Sequence, residues 1–280
     1  MTINDRFIPQ TGYTETASFV TVKNDGSKED ISRALLREHR LTVFINETRA
    51  MEIACTPTHL PFLVTGRLIS EGLISGMDDI NILDICEKGL NAKVFLKEGC
   101  EIKSADHLDI PSCCTDNKNF ITADQGLGSP VINGLRAMDD AIFTPEDIFR
   151  LTDHANKDMK LHRETSGTHS CYLYHEGEVI FSCEDIGRHN ALDKVIGKIY
   201  LDGLSPERCA VFTTGRTPLD MVRKGIRARL GALVSKSVPT YDAVMLAKEY
   251  GLKLYSRAWP DSYEKPHDLK FPDIGPNHMQ

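Results

Sequence analysis

A strand that passes through a polar turn directly into a helix constrains this chain more than any other stretch. Glu178 to Cys183 (EVIFSC) is apolar, and Ala191, Leu192, Val195, Ile196, Ile199 and Tyr200 recur at the spacing of one helix face. The polar cluster Glu184-Asp185-Ile186-Gly187-Arg188-His189-Asn190-Ala191-Leu192-Asp193-Lys194 follows that strand and runs into the helix, so it sits on a strand-to-helix turn. Such a turn offers the free N–H groups of a helix start to anions, and Arg188 adds a planar fork suited to phosphate or carboxylate. A solvated turn held by local ion pairs is the other reading these residues permit.

The pattern then repeats. Ser170 to His175, a Glu176-Gly177 turn and Glu178 to Cys183 form a hairpin. After it come a helix (190 to 202), a strand (Cys209 to Thr213), a helix (218 to 230), a strand (Ala232 to Ser235), a helix (240 to 250) and a strand (Leu252 to Ser256). This alternation implies an α/β sheet with parallel crossovers and helices on its faces. Ligands of such sheets bind at the carboxyl ends of strands. That rule collects Cys183-Glu184-Asp185, Thr213-Thr214-Gly215-Arg216, Ser235-Lys236-Ser237 and Ser256-Arg257 along one rim. Gly215 permits close backbone approach just before a basic residue at a helix start. The rim reads as an anion-binding cleft, with a fortuitously polar set of strand ends as the alternative.

The first half is less regular. Thr14 to Val22 alternates as a strand, Asn24-Asp25-Gly26 is a turn, and Asp30 to His39 fits a short helix. Leu41 to Asn46 and Arg49 to Cys55 flank a tight hairpin at Glu47-Thr48. A helix over 57 to 71 follows, with Thr56 as cap and Pro57 at its first position. Asp79 to Cys86 and Ala92 to Lys97 form a second strand pair around Lys88-Gly89. Periodicity fades from 99 to 134, which reads as a long loop. Thr144-Pro145-Glu146-Asp147 then starts a helix running to about Lys157. The expected division is an α+β portion, 1–135, ending in a cysteine-bearing loop, and an α/β domain, 136–280.

With 280 residues, 41% of them hydrophobic, the chain can build a core without staples. Of its eight cysteines, Cys171, Cys183 and Cys209 lie in apolar strand-like runs and read as reduced, buried thiols. Cys113 and Cys114 are adjacent, which strains a mutual disulfide and does not match the spaced pairs of zinc sites, so no metal centre is expected. A loop thiol is accessible to chemistry, although a packed pair fits the same residues. MTINDRFIPQ lacks a signal pattern and no apolar run spans a bilayer, so a cytoplasmic protein is expected. A net charge of −7 provides no diffuse attraction to nucleic acid or an anionic membrane.

Seven segments together resemble the formate dehydrogenase accessory sulfurtransferase family, FdhD/NarQ type. They are VFIN (43–46), CTPTHLPFLVTGRLISEG (55–72), SGTH (166–169), EDIGRHNALDKVIG (184–197), TGR (214–216), SKSVPT (235–240) and GLKLYSR (251–257), in the family's order. The resemblance implies a cytidine-deaminase-like C-terminal domain, a mixed sheet with helices on its faces, beside a smaller α+β N-terminal domain. It also implies a sulfur carrier protein required for formate dehydrogenase activity. Such a carrier moves persulfide sulfur from a cysteine desulfurase to the molybdenum bis(molybdopterin guanine dinucleotide) cofactor, which binds as substrate; no permanent cofactor is expected. Arg188, His189, Gly215, Arg216, Leu254, Tyr255, Ser256, Arg257, Ala258 and Trp259 become cofactor-binding candidates. Cysteine desulfurase and formate dehydrogenase become the expected partners, and a homodimer is among the arrangements allowed.

The family's carrier loop reads Ser-Cys-Gly-x-Cys-Gly, whereas this chain has Ser112-Cys113-Cys114-Thr115-Asp116-Asn117. Cys113 falls on the first cysteine and is the catalytic candidate; Asp116 replaces the second. A persulfide needs one nucleophilic thiolate, so the chain is a sulfurtransferase if Cys113 is competent. The competing readings are a non-catalytic, chaperone-like cofactor-binding relative and a purely structural partner of the dehydrogenase. The deaminase zinc signature, H-x-E with P-C-x-x-C, is absent. His169 and His189 either transfer protons or support the cleft.

Overall fold

The computed structural model describes residues 1–9, 12–102, 118–119 and 143–267. Its first half contains β1 (Thr2–Asp5), β2 (Thr14–Val22), β3 (Lys28–Leu36), β4 (His39–Ile45), β5 (Thr48–Cys55), α1 (Leu60–Ser70), β6 (Ile80–Ile85), β7 (Asn91–Leu96) and β8 (Lys118–Asn119). The second half contains α2 (Pro145–Lys157), α3 (Lys160–Thr165), β9 (His169–His175), β10 (Glu178–Asp185), α4 (Arg188–Leu201), β11 (Cys209–Thr213), α5 (Leu219–Arg227), β12 (Ala232–Ser235), α6 (Tyr241–Tyr250) and β13 (Lys253–Tyr255). Both the expected boundary near 135 and most of the expected 99–134 loop lie outside the described residues.

Strands β1, β6, β7, β4, β5 and β8 form one sheet in that order, while β2 and β3 pair only with each other. The helix expected over 30–39 is therefore a strand. Asp25 accepts a bond from the Ser27 N–H at 2.8 Å and Gly26 takes a φ of 80°, which turns the chain back so that Lys28 to Leu36 pair residue for residue with β2. The β4–β5 hairpin also turns one residue earlier than expected. Asn46 and Glu47 both have positive φ and Thr48 already pairs with Ile45.

The 57–71 helix forms, but as α1, beginning at Leu60 behind His59 in the left-handed region. Thr56 does not cap it. The Thr56 hydroxyl instead accepts from the Ile186 N–H at 3.2 Å, so it serves the second half of the chain. At Thr144 the expected cap is present, with a capping box to Asp147.

The second sheet runs β10-β9-β11-β12-β13, with β9 antiparallel to both neighbours and β11, β12 and β13 mutually parallel. The carboxyl ends of β10, β11, β12 and β13 therefore share one edge with the amino end of β9. Alternation along β9 and β11 divides the apolar side chains between faces. Cys171, Leu173 and Val211 join Leu192, Val195 and Ile199 of α4, in a core continuous with Val43 and Val94 of the first sheet and Leu63 and Leu68 of α1. Tyr172, Tyr174 and Phe212 face Ile148, Leu151 and Ala155 of α2. Among the described residues, no helix is long and apolar enough to cross a membrane.

Candidate functional site

The shared edge is stitched together by backbone bonds. Thr214 N–H donates to Ser170 O at 3.1 Å, Lys236 N–H to Thr213 O at 3.1 Å, and Ala258 N–H to Ser235 O at 3.0 Å. The Ser235 hydroxyl, fully buried, donates to Gly215 O at 2.7 Å and fixes the turn after β11. Gly215 matters for its missing side chain. A Cβ there would stand 3.0 Å from Arg188 Cβ and 3.5 Å from His169 Nδ1, so the turn lies directly against both. Burial, and next the charge of Arg188, push the half-buried His169 below the ordinary imidazole range. Both effects favour the neutral, hydrogen-bonding ring.

The 184–194 cluster is not a solvated turn. Asp185, Asn190, Asp193 and Lys194 are completely buried. Lys194 Nζ lies 2.6 Å from Asp185 Oδ2 and donates to Thr56 O at 3.0 Å; Asp185 also accepts the Thr56 N–H at 3.1 Å. Asp193 faces Ser70 (2.6 Å), Arg67 (2.8 Å) and Lys224 (3.0 Å), and Glu71 joins Lys224 at 2.6 Å. Burial pushes the Glu71 carboxyl up, but Lys224, Arg67 and Arg227 outweigh it and hold the group down to about 2. Glu184 accepts the Leu161 and His162 N–H groups at 2.7 and 2.9 Å, so it caps α3. These residues hold the halves together. Arg188 and His189, in the first turn of α4, are the part of the cluster at the rim.

The proposed site residues fall into two sets. Arg188, Gly215, Arg216 and His189 gather where α4 and the turn after β11 meet; Arg216 is exposed, and His189 is buried. Arg257 and Trp259 are exposed at the end of β13, where Arg257 holds a φ of 42° and Lys236 Nζ stands 4.5 Å over the Trp259 ring. By contrast, Leu254 is in the main core, Ala258 in the second, and Tyr255 packs 5.3 Å from Tyr263. Ser256 contributes its backbone, bonded both ways to Glu264 at 2.8 Å. Asp220 was not legible from the sequence. It stands on the first turn of α5 with Oδ2 2.8 Å from His189 Nε2, a pairing set only by the tertiary fold. Burial would raise the Asp220 carboxyl, but the bond and charge of His189, with Arg188, hold it well below the carboxylate range.

Cys113, the candidate carrier, and Cys114 lie outside the described residues. Burial pushes the Cys171 and Cys209 thiols up to about 12 and also raises those of Cys55 and Cys183, which removes four cysteines from thiolate chemistry.

The fold and rim thus define a mixed α/β protein with basic turns at one edge of its second sheet. The FdhD/NarQ family profile matches residues 36–264, and the chain belongs to that family. A sulfur carrier protein FdhD from Listeria monocytogenes serotype 4b is 33% identical over 232 residues, covering 81% of this chain and 87% of the relative. The protein of the same name from Bacillus licheniformis is 31% identical over 217 residues, covering 77% and 81%. A formate dehydrogenase accessory protein from Desulfotalea psychrophila shares the fold, with a TM-score of 0.72 at 22% identity over 91% of this chain and 96% of that one.

Proposed function

We propose that this chain is a sulfur carrier serving formate dehydrogenase. The Cys113 thiolate attacks the terminal sulfur of a cysteine desulfurase persulfide; the donor's S–S bond breaks, its cysteine leaves as thiolate, and the sulfur remains as a persulfide on Cys113. The molybdenum bis(molybdopterin guanine dinucleotide) cofactor is the substrate that receives it, held at the rim through its phosphates and guanine. The convergence of Arg188, Gly215, His169 and Arg216 at one sheet edge carries this reading. The carrier name borne by the relatives ranks it above a non-catalytic cofactor-binding relative. A cytidine-deaminase-like description of the second sheet accords with its strand order and two helical faces. A cytoplasmic location belongs to the same proposal.

Incubation with a desulfurase and sulfur-labelled cysteine tests the carrier step. Label should appear on Cys113 and vanish in Cys113→Ala; equal labelling of that variant would end this assignment.

A further inference from the structure

Two acid–base contacts cross from α4 to α5 one helical turn apart, with the acid on opposite helices. In the inner pair the acid is on α4: Asp193 Oδ1 lies 3.0 Å from Lys224 Nζ, deep among Arg67, Ser70 and Glu71. In the outer pair the acid is on α5: Asp220 Oδ2 lies 2.8 Å from His189 Nε2. Residues 189 and 193, like 220 and 224, are spaced i,i+4, so each helix presents both of its partners on one face. The inner pair is sealed, whereas the outer pair ends at the rim, where the Asp220 side chain keeps 13% exposure against 1% for His189.

We propose that Asp220 is a positioning residue for the rim: through His189 it locks the first turn of α4, which carries Arg188, against the first turn of α5, which follows Gly215 and Arg216. The inference rests on reading the rim as the ligand site. A Cβ added at Gly215 would stand 3.0 Å from Arg188 Cβ, so the turn has little slack and a small displacement of the α4 turn changes how both arginines face an anion. His189 is also one residue from Arg188 and completely enclosed, which makes it an efficient handle on that turn. The carboxylate stays ionised at neutral pH because the imidazole bond outweighs its burial.

The test uses the full chain with GDP as the probe, and measures hydrogen exchange at residues 188–191 without ligand. Asp220→Ala should weaken GDP binding about tenfold or more, the scale of a lost charge-assisted bond, and accelerate exchange in the α4 turn. Asp220→Asn keeps an oxygen acceptor in place without the charge and should recover part of both. In a His189→Ala background, Asp220→Ala should add nothing further, because its effect passes through the imidazole. Unchanged exchange in Asp220→Ala, or losses that simply add in the double variant, would overturn the proposal. Failure of the unmodified protein to bind GDP would overturn the ligand-site reading instead, and the exchange rates would still decide whether Asp220 holds the turn.

Discussion

Gly197 of α4 and Phe62 of α1 meet backbone to backbone. A Cβ at 197 would fall 2.7 Å from Phe62 Cα and nearer still to its carbonyl oxygen. Gly66 makes the matching approach from α1, where a Cβ would fall 2.8 Å from Gly197 N and overlap the Asp193 carbonyl. Two helices this close can place Arg67 and Ser70 on the Asp193 carboxylate, so the glycine contact and the buried ion network depend on each other.

Gly197→Ala should therefore destabilise the fold by at least the ~1–3 kcal/mol of ordinary overpacking, since rigid backbone is what must give way. Urea titration measures it. The Gly203→Ala control has nothing within 4 Å of its Cβ but carries a φ of 66°, so it isolates backbone strain from the helix clash. A loss at Gly197 no greater than at Gly203 would contradict the close crossing.

Acid should weaken the same network. The folded Glu71 pKa is depressed to about 2 from its ordinary 4.5, so its contribution is fully present above pH 4.5 and is lost as pH falls through that interval. Glu71→Gln removes the contribution and leaves Lys224 and Arg67 short of a partner, a change on the order of 3–5 kcal/mol for a broken buried pair. Denaturant midpoints at pH 7 and pH 3 should fall steeply for the unmodified protein and much less for the variant. Parallel acid profiles would show that Glu71 is not the group responsible.

The second sheet was legible because its strands and helices carry local signals, apolar runs and the Thr144 cap. The rim followed from the alternation of strands and helices, which places successive strand ends on one side. Asp30 to His39 is ambiguous in sequence because Ile31, Ala34 and Leu35 suit a helix face as well as a ribbon, and only pairing with β2 decides between them. The roles within 184–194 were mixed for a related reason. Asp193 and Lys194 look as reactive as Arg188 in one dimension, but their partners Ser70 and Thr56 lie 123 and 138 residues away. Leu254 and Ala258 entered the site through family resemblance, whereas burial assigns their side chains to packing.

Alkylation should sort the cysteines by environment. At pH 8 the native protein should leave Cys55, Cys171, Cys183 and Cys209 unmodified, because burial both hides these thiols and suppresses their thiolates. Mass spectrometry after iodoacetamide treatment, with and without urea, checks the expectation. Modification of those four in the native state at the rate seen in urea would mean that the core opens readily.

Arg216 gives the cleanest test of the rim as an anion site, because its side chain is exposed whereas Arg188 is buried against Gly215. An exposed position away from packing contributes little to folding, so Arg216→Ala should change stability by no more than about 0.5 kcal/mol. A charge-assisted bond to phosphate contributes about 1.5–3 kcal/mol, so GDP affinity should fall roughly tenfold to a hundredfold. Arg216→Lys retains the charge but not the planar fork, and should recover only part of the loss. Affinity of the unmodified protein should also decline more steeply with added salt than that of Arg216→Ala, because one ionic contact has been removed. Calorimetric titrations at two ionic strengths read both effects, and equal affinity of Arg216→Ala and the unmodified protein would place the anion away from this turn.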